Sequence, residues 1–160
     1  MTKDILKDEI ESFVQFHDNK NRQLEYFIQG ILNNENRVFL NINDCQMQKW
    51  SYERKNLLEK IYGSHNMDKF HAYHKEWHSE FKKICDLLLI GDKKKPSLFQ
   101  QIKGKDVKSI YENEKDKINL YIMNTKELNN LINKKIEMMQ QRLSAMQNKT
   151  FEEFLYAPPS

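Results

Sequence analysis

The sequence predicts an all-α fold, an antiparallel four-helix bundle with a short extra helix and a metal site inside the bundle. Three observations carry this expectation. Only four glycines and three prolines occur among 160 residues, too few for the many tight turns of an all-β fold. Lys, Glu, Asn, Gln, Leu and Ile dominate, a composition suited to long helices with solvated outer faces. Apolar residues recur at steps of three and four over several long stretches, the seam of a helical bundle. A chain of this length forms one domain with a real core. Residues 1–150 are read as the bundle and 151–160 as a C-terminal tail.

The elements follow in order. A first helix is expected from about Asp4 to Asn33, with Ile10, Val14, Leu24, Ile28 and Ile31 on its apolar seam. His17 falls on that seam, where an unsatisfied polar ring costs about 1–3 kcal/mol. Asn33 to Asn36 should end the helix, and Val38-Phe39-Leu40 is a short apolar segment. Asn43 and Asp44 are good N-caps, which places Cys45 in the first turn of a second helix. That position lowers a thiol's pKa and favours thiolate. The second helix should run to about Tyr62 and stop at Gly63, with Ser64-His65-Asn66 as the turn. A third helix is expected over about Met67 to Ile90, then a loop from Gly91 to Pro96. A fourth spans about Asp106 to Asn148, with a stripe that includes Ile110, Ile118, Tyr121, Ile122, Leu128, Leu131, Ile132, Ile136 and Met139. The tail ends in Pro158-Pro159, which cannot continue a helix.

Charge and composition exclude several function classes. The net charge of +3 comes from interspersed Lys and Glu, so no nucleic-acid footprint stands out. The basic run Lys93-Lys94-Lys95 reads as a solvated loop. Two cysteines are too few for a disulfide framework. The start carries acids where a signal peptide needs an apolar core, and no stretch approaches the roughly 20 apolar residues of a membrane span. A soluble, cytoplasmic protein is expected, with reduced thiols.

Four residues have the spacing of one metal site: His17, Cys45, His74 and His78. His74 and His78 lie four apart, stacked on one face of a helix, as the histidines of HExxH helices do. No HExxH is present, and Glu76 points off the paired face. Three His and one Cys supply the four N/S ligands of a closed tetrahedral zinc site. His71, three residues before His74, is an alternative partner for it. Cys85 reads as core and His65 as surface. Trp50 and Trp77 read as core aromatics around the site. A catalytic zinc keeps an open position beside a carboxylate base. Four protein ligands leave none, so an enzyme is not expected. The rival class is a helical adaptor or dimerisation module without metal sensing.

The order His17, then Cys45-Gln46-Met47-Gln48-Lys49-Trp50, then His74-Lys75-Glu76-Trp77-His78 resembles the bacterial chemoreceptor zinc-binding (CZB) domain family. That family's pattern is His, then Cys-x-hydrophobic-Gly-x-Trp, then His-x-x-x-His. The likeness covers roughly residues 10–90, and its spacing favours His74 with His78 over His71. Two departures stand out: Gln48 replaces the pattern's glycine, and Lys20 replaces an aromatic three residues after the first His. The resemblance implies zinc held by His17, Cys45, His74 and His78. It implies an input module of chemotaxis receptors or cyclic-dinucleotide enzymes, often a homodimer, in which the Cys–zinc pair responds to zinc level or to oxidants such as hypochlorous acid. No output domain of either kind fits residues 91–160, so signalling would run through a partner protein or dimer rearrangement.

Overall fold

The computed structural model describes residues 1–32, 38–88, 90 and 107–159. Seven α-helices have both ends among them, and the described residues contain no strand. The expected helix end at Asn33–Asn36 and the expected loop over Gly91–Pro96 lie outside the described residues.

The first predicted helix is two helices. Thr2 caps α1 (Lys3–Glu11), its hydroxyl accepting from the Ile5 amide at 3.2 Å. Residues 12–15 then form a turn in which Gln15 takes a left-handed conformation, φ 60°. The turn sets Phe13 inward, its ring 5.0 Å from that of Trp50. Helix α2 (Phe16–Ile28) follows and buries His17, Asn21, Leu24 and Phe27. Val14 and Ile31, expected on the seam, are exposed, because the turn moves Val14 off it and α2 stops before Ile31. The stop is Gly30, whose φ of 78° supplies the left-handed residue that ends many helices.

A 3₁₀ turn (Ile42–Asp44) is capped by the Asn41 side chain, which accepts from the Asn43 amide at 2.9 Å. Cys45 is then the N-cap of α3 (Gln46–Glu53), one residue outside the helix rather than in its first turn. Helix α4 (Lys55–Tyr62) continues after a bend at Arg54. The side chain of Arg54 donates to Glu9 through Nε at 3.2 Å and Nη2 at 2.8 Å. Trp50 Nε1 donates to the same carboxylate at 2.8 Å. Gly63, φ 83°, makes the reversal alone. The expected three-residue turn is therefore absent, and Ser64, His65 and Asn66 form the first turn of α5 (Ser64–Leu87).

Residues 107–113 are helical and lead across Glu114 into α6 (Lys115–Ala145). The chain leaves the helical conformation at Met146, ψ 135°, and resumes as α7 (Asn148–Tyr156). Most of the expected tail is thus helix, anchored by buried Phe151, and it ends before Pro158. On α6 the stripe holds at Ile118, Leu128, Ile132, Ile136 and Met139, while Leu131 is exposed and the polar Thr125 and Asn129 are buried.

Helix α6 is the spine. Glu80 meets Asn124 and Asn66 meets Lys135, so α5 runs antiparallel to it. Asn21 meets Thr125 and Asp18 meets Asn133, so α2 does too. Lys3 Nζ donates to the Met146 carbonyl at 2.7 Å and ties α1 to the same helix. Tyr62 donates to the Met139 carbonyl at 3.0 Å. The core between these helices is filled by Leu6, Ile10, Tyr62, Phe70, Trp77 and Phe81. No helix among the described residues is long and apolar enough to cross a membrane.

Candidate metal centre

The four residues singled out from spacing meet at one point. Helix α2 supplies His17, the N-cap of α3 supplies Cys45, and α5 supplies His74 and His78. All four are buried, with donor atoms within 4.8 Å of one another. Nε2 of His74 lies 3.1 Å from Nε2 of His17 and 3.1 Å from Nε2 of His78. The Cys45 sulfur lies 3.4 Å from His74 Nε2 and 3.6 Å from His17 Nε2.

These separations test the fit to an ion. Zinc bonds of about 2.05 Å to nitrogen and about 2.3 Å to sulfur, at tetrahedral angles, set N···N edges near ~3.3 Å and S···N edges near ~3.6 Å. Four of the six donor separations fall within about 0.3 Å of those edges, and all six lie within 4.8 Å, so an ion would draw the set slightly closer. A hydrogen-bond account fails on valence. A neutral imidazole carries one proton and one lone pair in its ring plane, yet His74 Nε2 faces two nitrogens and a sulfur. One ring atom cannot bond three partners in three directions. A common centre satisfies all of them, so the residues fit a metal ion.

The electrostatics favour the ligating forms of the imidazoles. Burial, followed by the neighbouring rings of His74 and His78, pushes His17 well below its ordinary value. Burial, then His78 and His71, lowers His74 to about 3. Burial lowers His78 to about 4 against an upward pull from the Leu40 backbone. All three rings are neutral at pH 7, the form that binds metal. Cys45 departs from the expectation of a helix-end thiolate. Burial raises its pKa and outweighs the backbone amides of Gln48 and Met47, which pull it down together with Lys20 and Lys49. The helix-end effect is present but smaller than the cost of burying a charge.

Aromatic rings wall the site. Trp77 lies with its ring 4.4 Å from His17 and 4.9 Å from His78, Phe16 stands edge-on to His17, and Phe70 lies alongside His74. Trp50 packs on Phe13 instead. His71 is not among the converging donors and lies against Tyr52, ring centroids 4.9 Å apart. Cys85 is buried outside the cluster, His65 is exposed, and Glu76 is exposed as expected. A cleft of about 370 Å³ between the Phe39–Ile42 segment and Lys75, Ser79 and Lys82 of α5 reaches the outer side of His78.

Sequence reasoning missed one participant. Gln48 Oε1 accepts from His74 Nδ1 at 3.1 Å. The residue appeared only as a departure from a pattern. Its position three residues after Cys45, on the same face of α3, was the available signal.

No protein-family model, curated protein or solved structure matches this chain.

Proposed function

We propose that this chain is a zinc-binding regulatory domain of the chemoreceptor zinc-binding type, built as a four-helix bundle and acting in the cytoplasm as a homodimer. The convergence of one sulfur and three imidazole nitrogens from three separate segments carries the reading. A zinc ion held there would cross-link α2, the Cys45 turn and α5 and would keep the sulfur as thiolate. Four protein donors fill a tetrahedral shell, which favours ligand exchange and thiolate chemistry over hydrolysis.

Cys45 is the reactive ligand. As thiolate it gives two electrons to hypochlorous acid; sulfur gains the hydroxyl as sulfenic acid and chloride leaves. A sulfenic acid is a poorer donor, so His17, His74 and His78 lose their fourth partner and the α3 N-terminus loosens. A chemotaxis receptor, a cyclic-dinucleotide enzyme or a second copy of the chain would read that change.

Elemental analysis of the purified protein tests this directly. One zinc per chain is expected, lost in Cys45→Ala and His74→Ala and kept in His71→Ala. Chelation should lower the melting temperature. A hypochlorite pulse should modify Cys45 before Cys85. A protein without metal removes the zinc reading and leaves a helical adaptor; metal that survives Cys45→Ala removes Cys45 as the switch.

A further inference from the structure

Granting the metal-binding reading above, we propose that Gln48 is a positioning residue that sets how tightly the site holds its ion. Gln48 is the third residue of α3, one helical turn beyond the N-cap Cys45. Its main chain is fixed there, the Ser51 hydroxyl donating to its carbonyl at 2.9 Å. A glutamine at this position commonly folds back to the N-cap amide. Here its side chain reaches across to α5 and meets His74 Nδ1 at 3.1 Å.

The proton on His74 decides what this contact does. Nε2 of His74 points into the cage beside His17, His78 and Cys45. To ligate, Nε2 must keep its lone pair, so the ring proton must sit on Nδ1. Gln48 Oε1 accepts that proton and so selects the competent tautomer. An amide has a second face, however. Rotated by half a turn it presents NH₂ to Nδ1, which then holds the lone pair while the proton sits on Nε2, inside the cage. Glutamine supports both tautomers; a carboxylate supports only Nδ1–H and also makes the ring more basic. A leucine supports neither. Gln48 thus holds the site at an intermediate affinity, suited to an ion that must come and go. It is half-buried, so a glutamate can be accommodated there.

The test is a chelator-competition titration with zinc on Gln48→Glu, the parent protein and Gln48→Leu. Gln46→Leu, at an exposed position two residues away, is the control. Outer-shell partners of ligating histidines typically change metal affinity by about 10–100-fold. The expected order is Glu tightest, Gln intermediate and Leu weakest, each step about tenfold or more, with Gln46→Leu at parent affinity. Two readouts separate positioning from damage to the fold. Circular dichroism of the zinc-loaded variants should be unchanged. The His74 Nδ1 proton, followed by ¹⁵N-edited NMR, should be protected in the parent and in Gln48→Glu and exchange rapidly in Gln48→Leu. Equal affinities across the series, or a Gln48→Glu weaker than Gln48→Leu, overturn the role of Gln48 while leaving the zinc site intact. Absence of zinc from the parent and every variant overturns the metal reading itself.

Discussion

Acid should dismantle the zinc-free protein between pH 7 and pH 4, and the three buried histidines set the window. In the folded chain His74 sits at about 3 and His78 at about 4, both lowered by burial. In the unfolded chain each returns to about 6.5. The unfolded state therefore binds more protons than the folded state in this interval, and stability falls as pH falls. It is full above the unfolded value, declines through pH 6 and 5, and stops declining only below the folded values. Each such group costs about 1.4 kcal/mol per pH unit inside the window, or about 2 kcal/mol between pH 7 and pH 5. His74 and His78 together remove about 4 kcal/mol, and His17 shifts in the same direction for the same reason. A domain holds only about 5–15 kcal/mol in total. Chelated protein followed by far-UV circular dichroism and tryptophan fluorescence should lose its tertiary signal with a midpoint near pH 5. With zinc saturating, the transition should move to lower pH, since protons must displace metal from the same nitrogens. A zinc-free protein with an unchanged melting temperature at pH 4.5 would refute the buried, neutral imidazoles.

Two further outcomes follow from the packing. Glu9→Ala removes the acceptor shared by Trp50 and Arg54; the pair is about a third exposed, so the expected loss is about 1–2 kcal/mol after allowing for solvent screening, read from denaturant unfolding, and a loss below 0.3 kcal/mol would show the clamp to be idle. On chelation, amides of α2 and α3 should lose hydrogen-exchange protection well before those of α5 and α6, because α5 and α6 share the largest helix–helix interface among the described residues; simultaneous loss in all four would contradict that order.

The ligand set was legible because its spacing is local and its residue types are rare. An i, i+4 histidine pair needs only a helix to become a site, His17 stood out as a polar ring on an apolar seam and Cys45 as a thiol at a helix start, and the resemblance then joined the four. The helical content was legible from the scarcity of Gly and Pro. The breaks were not. Gln15 takes a positive φ without being glycine, and its cause is tertiary: Phe13 packing on Trp50, some 37 positions further along the chain. Met146 leaves the helix with no Gly or Pro beside it, so the pattern ran on through Asn148. Gly30 carried a signal, but the apolar Ile31 beyond it drew the seam too far. Thr125 and Asn129 were unreadable as buried because polar residues on a helix are ordinarily solvated.

Those buried polar residues bear on how the site could act at a distance. The larger helix–helix interfaces join α1, α2, α4 and α5 to α6, and α4 to α3, α5 and α7; none joins α2, α3 and α5 to one another. The segments that carry the four converging residues meet through those residues and through a few flanking side chains, Trp77 on His17 and Gln48 on His74 among them. Helix α2 is held against α6 by a partly polar seam. Its seam against α6 continues from His17 to Asn21, which donates to Thr125 at 3.0 Å. Asn21 Oδ1 and both amide atoms of nearby Asn129 are buried without a partner among the described residues. Each such atom costs about 1–3 kcal/mol, so the interface is well below the strength of an apolar one of the same size. The buried groups that water would satisfy favour opening of this seam, while the Asn133–Asp18 hydrogen bond, the Lys126–Glu25 ion pair and the packing of Trp77 on His17 oppose it. On the proposed sensor reading, a change at Cys45 that frees His17 would shift that balance toward an open α2, and amides of α2 should then lose hydrogen-exchange protection after oxidation while those of α5 and α6 keep theirs; unchanged protection in α2 would refute this route.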